Sequence, residues 1–132
     1  MATVRGVGGI FFTSPDPARL RAWYAKWLGI PAEGPGASFA PDAMPAGGVT
    51  VFSAFTADTT YFAPATRGFM FNLIVDDLEG ALAQVRAGGA QVVGDVEAYD
   101  YGRFGWFVDP DGNKVELWQV PLPVPAIAKG QG

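Results

Sequence analysis

The chain has 132 residues, 9 of them basic and 13 acidic, and it contains no histidine and no cysteine. The two missing residue types exclude disulfides, thiolate nucleophiles, zinc–thiolate sites, imidazole bases and histidine-ligated metals. The formal charge of −4 disfavours nucleic acid and anionic membranes as partners, and without an apolar run long enough to cross a bilayer we expect a cytoplasmic protein.

The first half of the chain is predicted to contain one strand, one helix and then three short strands. A strand at Gly8–Thr13 precedes a helix that is capped by Asp16, starts at Pro17 and ends at Gly29. Apolar side chains recur at helical spacing within it, at Leu20, Trp23, Tyr24, Trp27 and Leu28. The further strands are predicted at Ser38–Ala40, Val49–Phe55 and Thr59–Phe62.

The second half repeats this order of elements. A strand at Phe69–Val75 leads to a helix that begins at Asp77 and ends at Gly88, and the two helix caps lie 61 residues apart (77 − 16). Three strands are predicted to follow, at Gln91–Val93, Phe104–Val108 and Lys114–Gln119, the last two joined by a turn at Asp109–Asn113. The repeat predicts a single α+β domain of two βαβββ modules, at about 6–63 and 68–119. The Pro-rich tail at 120–132 is expected to be an extended arm or partly disordered.

Three stretches of the chain resemble one superfamily. SPDPARLRAWYAKWLGI, VDDLEGALAQVRAGGA and YGRFGWFVDPDGNKVELWQ are similar to the vicinal oxygen chelate superfamily, which includes glyoxalase I, bleomycin-resistance proteins and extradiol dioxygenases. The resemblance covers roughly residues 6–119. It implies a mixed sheet that curls around a cavity, with helices on the outer face, and it implies a homodimer.

The resemblance also implies four metal-ligand positions on the concave face of the sheet. In this sequence they fall at Gly9, near Phe52, at Met70 and at Glu116. Glycine and phenylalanine offer no ligand atom, and a thioether is a poor ligand for hard ions, so Glu116 alone is suitable. We therefore expect neither a metal nor another cofactor.

The alternation of side chains along a strand indicates which residues face the cavity. If Glu116 faces inward, Trp118 shares its side, while Val115 and Leu117 point towards the helices. A mostly apolar hollow with a few polar groups is typical of a site for a small molecule, which is the expected partner. The candidate ligand-binding residues are Phe11, Thr13, Phe52, Tyr61, Met70, Asn72, Tyr101, Arg103, Trp106 and Trp118.

Two charged residues have alternative interpretations. Glu116 is the candidate catalytic residue, as a general base, or a counter-ion for a cationic ligand; its structural alternative is a carboxylate bonded to Asn72 or to water. Arg103 could clamp a carboxylate or phosphate group of a ligand. Its structural alternative is a salt bridge to a nearby acid, namely Asp95, Glu97 or Asp100.

Three functions remain open at this point. The first is a metal-independent glyoxalase-like protein that binds a small apolar or amphipathic molecule, for which sequestration of the bleomycin-resistance type is one version. The second is an isomerase, epimerase or lyase in which Glu116 is the general base and Arg103 or Asn72 holds an enolate oxygen. The third is an interaction module whose cavity is filled by its own side chains.

Overall fold

The computed structural model describes residues 1–32, 34 and 36–121. They form an α+β fold, as predicted, with a four-stranded mixed sheet in the order β1–β4–β3–β2. Strand β1 runs parallel to β4, and the other neighbouring strands are antiparallel. The elements are α1 (Pro17–Leu28), a short 3-10 helix (Pro41–Ala43), β1 (Phe71–Ile74), α2 (Leu78–Ala87), β2 (Gln91–Tyr99), β3 (Gly102–Val108) and β4 (Lys114–Gln119).

Both predicted helices are confirmed, together with the residues that cap them. The Asp16 carboxylate accepts the Arg19 backbone N–H at 3.1 Å, and Asp77 caps α2 in the same way at Gly80. Gly29 ends α1 in the left-handed conformation, with φ of 68°. This conformation favours glycine, which explains why the helical pattern stops there.

The core lies between the two helices and one face of the sheet. Val115 and Leu117 are fully buried on that face, as their alternation with Glu116 predicts. The helices meet where the Trp23 indole N–H donates to the Gly88 carbonyl at 2.9 Å. The core also contains Leu20, Tyr24, Phe71, Leu78, Ala81, Leu82, Val85 and Phe107. The helices therefore cover one face of the sheet. The other face carries Glu116 together with the buried side chains of Trp106 and Trp118, and among the described residues no helix packs on it; we call it the open face.

The strands predicted in the first half of the chain are wrong. Residues 8–13, 38–40, 49–55 and 59–60 have no regular secondary structure, and 61–64 form a turn in which the Ala63 N–H donates to the Thr60 carbonyl. A strand needs backbone hydrogen bonds to a neighbour, which alternation alone does not supply, and the glycines before Ile10 weaken strand formation. Phe12 still packs on the core, with its ring centroid 4.7 Å from that of Phe71.

The strands predicted in the second half are confirmed, and Lys114–Gln119 has the predicted bounds. Strand β1 is shorter than the predicted Phe69–Val75, and β3 starts at Gly102 rather than at Phe104. Strand β2 continues to Tyr99 rather than ending at Val93, because an irregularity after Val93 lets pairing with β3 resume at Glu97. Gly94, with φ of 69°, provides the turn of backbone that this bulge requires. The predicted tail lies largely outside the described residues. Within those residues, neither helix is long and apolar enough to cross a membrane.

Candidate functional site

Glu116 lies at the middle of the open face, between side chains from the two adjacent strands. It is in register with Asn72 on β1 and with Trp106 on β3. The Asn72 amide donates to Glu116 Oε1 at 2.7 Å, and the Trp106 indole N–H donates to Oε2 at 2.9 Å. The Tyr61 hydroxyl also donates to Oε2. Three donors from three separate segments therefore fix this carboxylate.

Tyr61 reaches Glu116 from the turn that replaces a predicted strand. The Lys114 ammonium holds this turn by donating to the Tyr61 carbonyl at 2.5 Å, and it lies 5.1 Å from the centre of the Tyr61 ring. Burial, followed by the hydrogen bond to Glu116, raises the pKa of the Tyr61 hydroxyl. Burial lowers the pKa of Lys114, while the charge of Glu116 opposes that change. Tyr61 thus stays protonated and remains a hydrogen-bond donor to Glu116.

Two hollows lie side by side on the open face. The acidic hollow, of about 360 Å³, is lined by Tyr61, Glu97, Tyr99, Tyr101, Phe104, Trp106 and Glu116. The apolar hollow, of about 440 Å³, is lined by Ala46, Gly47, Val49, Tyr101, Trp118, Val120 and Pro121. Tyr101 belongs to both. Its carbonyl accepts the Trp118 indole N–H at 2.9 Å, which ties the walls of the two hollows together.

The structure brings only part of the predicted site together. Of the candidate ligand-binding residues, Tyr61, Asn72 and Trp106 contact Glu116, while Tyr101 and Trp118 line the hollows. Met70 is half-buried just before β1 and lines neither hollow. The remaining candidates in the first half, Phe11, Thr13 and Phe52, are exposed and lie outside both hollows, with Phe11 at 98% and Phe52 at 91% exposure.

Arg103 lies on the opposite face of the sheet from Glu116. Along β3 it shares a face with Gly105, two residues on, whose position faces Leu82 on α2. Its guanidinium forms a bidentate ion pair with Glu79, in which Nη1 lies 2.8 Å from Oε2. The predicted salt-bridge partners were therefore wrong, because the relevant acid comes from α2 rather than from the strands beside Arg103. This pairing lowers the pKa of the Glu79 carboxyl.

Three residues of the acidic hollow were missing from the sequence-based site. Phe104 stands two residues before Trp106 on β3, so strand alternation was a sufficient signal for it. Glu97 and Tyr99 belong to the part of β2 that continues after the bulge. Nothing local in the sequence indicated that β2 resumes there with these side chains on the open face.

The residues at the family's metal-ligand positions do not fit a metal ion. Gly9 and Phe52 are exposed and provide no ligand atom. Glu116 is a single carboxylate that already accepts three O–H and N–H donors, so it cannot supply the several oxygen ligands that a hard metal ion needs. Across residues 1–32, 34 and 36–121, no group of three or more acidic, histidine or cysteine side chains is placed to hold a metal.

Comparison with known proteins gives the family. The profile of the glyoxalase-like domain matches residues 9–118, which is most of the chain. The chain belongs to the glyoxalase-like family. Its membership agrees with the resemblance to the vicinal oxygen chelate superfamily. A search of curated proteins finds no match for this glyoxalase-like chain.

Several solved structures are similar to this glyoxalase-like protein. A glyoxalase-related enzyme from Fulvimarina pelagi is 18% identical over 93% of this chain and 94% of its own, with a TM-score of 0.57. TnmS3, an antibiotic-binding protein from Streptomyces sp. CB03234, is 16% identical over 92% of this chain and 100% of its own, with a TM-score of 0.53. These identities indicate a shared fold. A glyoxalase/bleomycin resistance protein/dioxygenase superfamily member from Sphaerobacter thermophilus is 30% identical, but the match spans 37% of this chain and 40% of that one, with a TM-score of 0.34.

Proposed function

We propose that this glyoxalase-like protein binds a small amphipathic molecule across the acidic and apolar hollows, without a metal ion. The observation that carries the proposal is the pair of hollows on the open face of the sheet, joined at Tyr101. Their volumes fall within the few hundred Å³ typical of small-molecule sites. Aromatic walls with a small number of fixed polar groups are also typical of such sites. The antibiotic-binding neighbour with the same fold supports this function.

The hydrogen bonds of Glu116 favour binding over general-base catalysis. A carboxylate has about four lone-pair positions. Three are engaged by donors from Tyr61, Asn72 and Trp106, which leaves room for one further donor from a ligand. Transfer of a proton to Glu116 would neutralise the carboxylate and weaken these three hydrogen bonds, because a charged acceptor forms stronger hydrogen bonds than a neutral one. The same three contacts hold Glu116 in one orientation, which suits a polar anchor.

The test of this proposal is a titration with the neutral amphipathic probe 1-naphthalenemethanol, followed by calorimetry. Tyr101→Ala removes the aromatic ring shared by the two hollows and should weaken binding of the probe at least about tenfold, from the loss of aromatic contact area. Phe11→Ala is the matched control, because it removes an aromatic side chain that is almost fully exposed and lies outside both hollows. It should leave the affinity unchanged.

The outcomes separate the proposal from its alternatives. If the probe does not bind, or binds equally well to the Tyr101→Ala variant, the hollows are not the binding site and the interaction module becomes the better explanation. If Phe11→Ala weakens binding as much as Tyr101→Ala does, residues 8–13 help to enclose the ligand, as the sequence pattern predicted, and a site confined to the two hollows is refuted.

The homodimer implied by the resemblance and the cytoplasmic location stay predictions. Light scattering during size exclusion would test the first, since a homodimer has twice the 13.9 kDa mass of the chain.

A further inference from the structure

We infer that the ligand is an organic cation: a protonated or quaternary ammonium group joined to an apolar ring system. This inference rests on the proposed function and specifies the chemical class of the molecule bound in the two hollows. It follows from the charges in the acidic hollow, from the aromatic rings that line it and from the apolar hollow beside it.

The acidic hollow carries two carboxylates without a matching cation. Glu97 and Glu116 both line it, and the Tyr99 hydroxyl donates to Glu97. In the part of the chain that the structure describes, the ion pair within 4.0 Å is Arg103 with Glu79, on the opposite face. Two negative charges at one concave surface attract a cation and repel an anion.

Lys114 is the cation nearest to this arrangement, and its position is already determined by other contacts. Its ammonium donates to the Tyr61 carbonyl at 2.5 Å and lies 5.9 Å from the centre of the Trp106 ring. It is not among the residues that line the hollow. Lys114 therefore offsets part of the charge of Glu116, and in the described part of the chain no cation lies within 4.0 Å of the Glu97 carboxylate.

Two stacked pairs of aromatic rings lie in the acidic hollow and where it adjoins the apolar one. Tyr99 and Tyr101 are stacked with ring centroids 5.2 Å apart and planes inclined by 4°. Phe104 and Trp118 are stacked at 5.9 Å and 7°. The face of an aromatic ring is the negative end of its quadrupole, so an ammonium group near these rings gains a cation–π attraction in addition to the attraction of the carboxylates.

The apolar hollow accounts for the rest of the ligand. Its lining includes no charged side chain, and it shares Tyr101 with the acidic hollow. A molecule that spans the two therefore has its charged group separated from an apolar portion by about the width of one aromatic ring. The charge belongs at Glu97 and Glu116, and the apolar portion belongs beside Trp118.

A series of probes with one naphthyl group and different charge tests this inference by calorimetry. The members are trimethyl(1-naphthylmethyl)ammonium, 1-naphthalenemethanol and 1-naphthoate. The cation should bind at least about fivefold more tightly than the alcohol, as cation–π and ionic contacts of ordinary strength allow, and the naphthoate should bind most weakly. The preference for the cation should shrink as salt is added, because salt screens exposed charges.

Variants locate the origin of the preference. Glu97→Gln and Glu116→Gln should each reduce the ratio of cation to alcohol affinity, because each removes one negative charge from the hollow and keeps a side chain of similar shape. Glu79→Gln is the matched control, because it removes the same charge from the opposite face, and it should leave the ratio unchanged. Glu97 is exposed, so its variant provides the test even if Glu116→Gln fails to fold.

The results separate failure of this inference from failure of the proposed function. If the alcohol binds in a Tyr101-dependent way as tightly as the cation, the cation preference is refuted and the proposed function stands. If Glu79→Gln lowers the preference for the cation as much as Glu97→Gln does, the inference is also refuted, because the net charge of the protein would then cause the preference. If none of the three probes binds, the proposed function fails and this inference fails with it.

Discussion

Replacing Tyr24 by phenylalanine tests how helix α1 is attached to the sheet. The Tyr24 hydroxyl donates to Asp109 Oδ2 at 2.8 Å, across 85 residues of sequence. Both residues are buried, with exposures of 8% and 4%. The Asp109 carboxylate also accepts the backbone N–H groups of Asp111 and Asn113 and the Asn113 amide, so it organises the turn between β3 and β4.

The expected cost follows from the loss of one buried hydrogen bond to a charged acceptor. Such a bond contributes about 1.5–3 kcal/mol to the free energy of unfolding. For 132 residues the entropy of unfolding is about 0.28 kcal/mol per kelvin, so the variant should melt about 5–11 °C below the wild type. Thermal and urea denaturation, followed by circular dichroism, would measure both quantities.

Tyr99→Phe is the matched control, because it removes the same hydroxyl group from an exposed tyrosine that also donates to a carboxylate. Its midpoint should equal that of the wild type, because water replaces the lost partner. Equal midpoints for Tyr24→Phe and Tyr99→Phe would refute the proposed role of the buried network in holding α1.

Three further predictions concern the fold and the site. Burial, followed by the charge of Asp109, raises the pKa of Tyr24 above its ordinary value of 10.0, so above about pH 10 the unfolded chain binds fewer protons than the folded one and the free energy of unfolding falls as pH rises. In urea denaturation, the free energy of unfolding of Tyr24→Phe should fall less steeply with pH, by up to about 1.4 kcal/mol per pH unit. An unchanged slope would exclude Tyr24 as a cause. Gly102→Ala should lower the free energy of unfolding by about 2–4 kcal/mol, because φ is 140° and a Cβ would lie 2.7 Å from the Gln119 carbonyl oxygen. Gly94→Ala, also at positive φ but with no atom near the added Cβ, should lower the free energy of unfolding by less. Equal losses would show that the clash at Gly102 is unimportant. Millimolar Mg²⁺, Mn²⁺ or Ca²⁺ should leave the melting temperature unchanged, and a concentration-dependent rise that Glu116→Gln abolishes would contradict metal-independent binding.

The second half of the fold could be predicted because its signals are local. Asp77 and Gly88 mark the ends of α2, and the alternation around Glu116 identifies both faces of β4 correctly. The first half shows the limit of the same reasoning. Val49–Phe55 is rich in the β-branched and aromatic residues that favour strands, but the pairing that makes a strand depends on distant backbone groups, and here that segment is unpaired.

The candidate site also contains residues that local signals identify and residues that they do not. Asn72 and Trp106 could be named as candidates, because alternation along a strand is a local property; strand pairing then brings both into register with Glu116. Glu97 could not, because its position depends on how β2 resumes after the bulge. Arg103 lies away from Glu116 because it shares with Gly105 the face of β3 that is turned towards the helices, where α2 supplies Glu79.

The most direct test of the central claim is the response of the four tryptophan indole N–H signals to a bound cation. Trp106 and Trp118 lie on the open face, whereas Trp23 and Trp27 lie on α1. In ¹⁵N-labelled protein titrated with trimethyl(1-naphthylmethyl)ammonium, the signals of Trp106 and Trp118 should shift together and saturate, and those of Trp23 and Trp27 should stay in place. Saturable shifts confined to Trp23 and Trp27, or no shift in any of the four signals, would contradict binding in the two hollows.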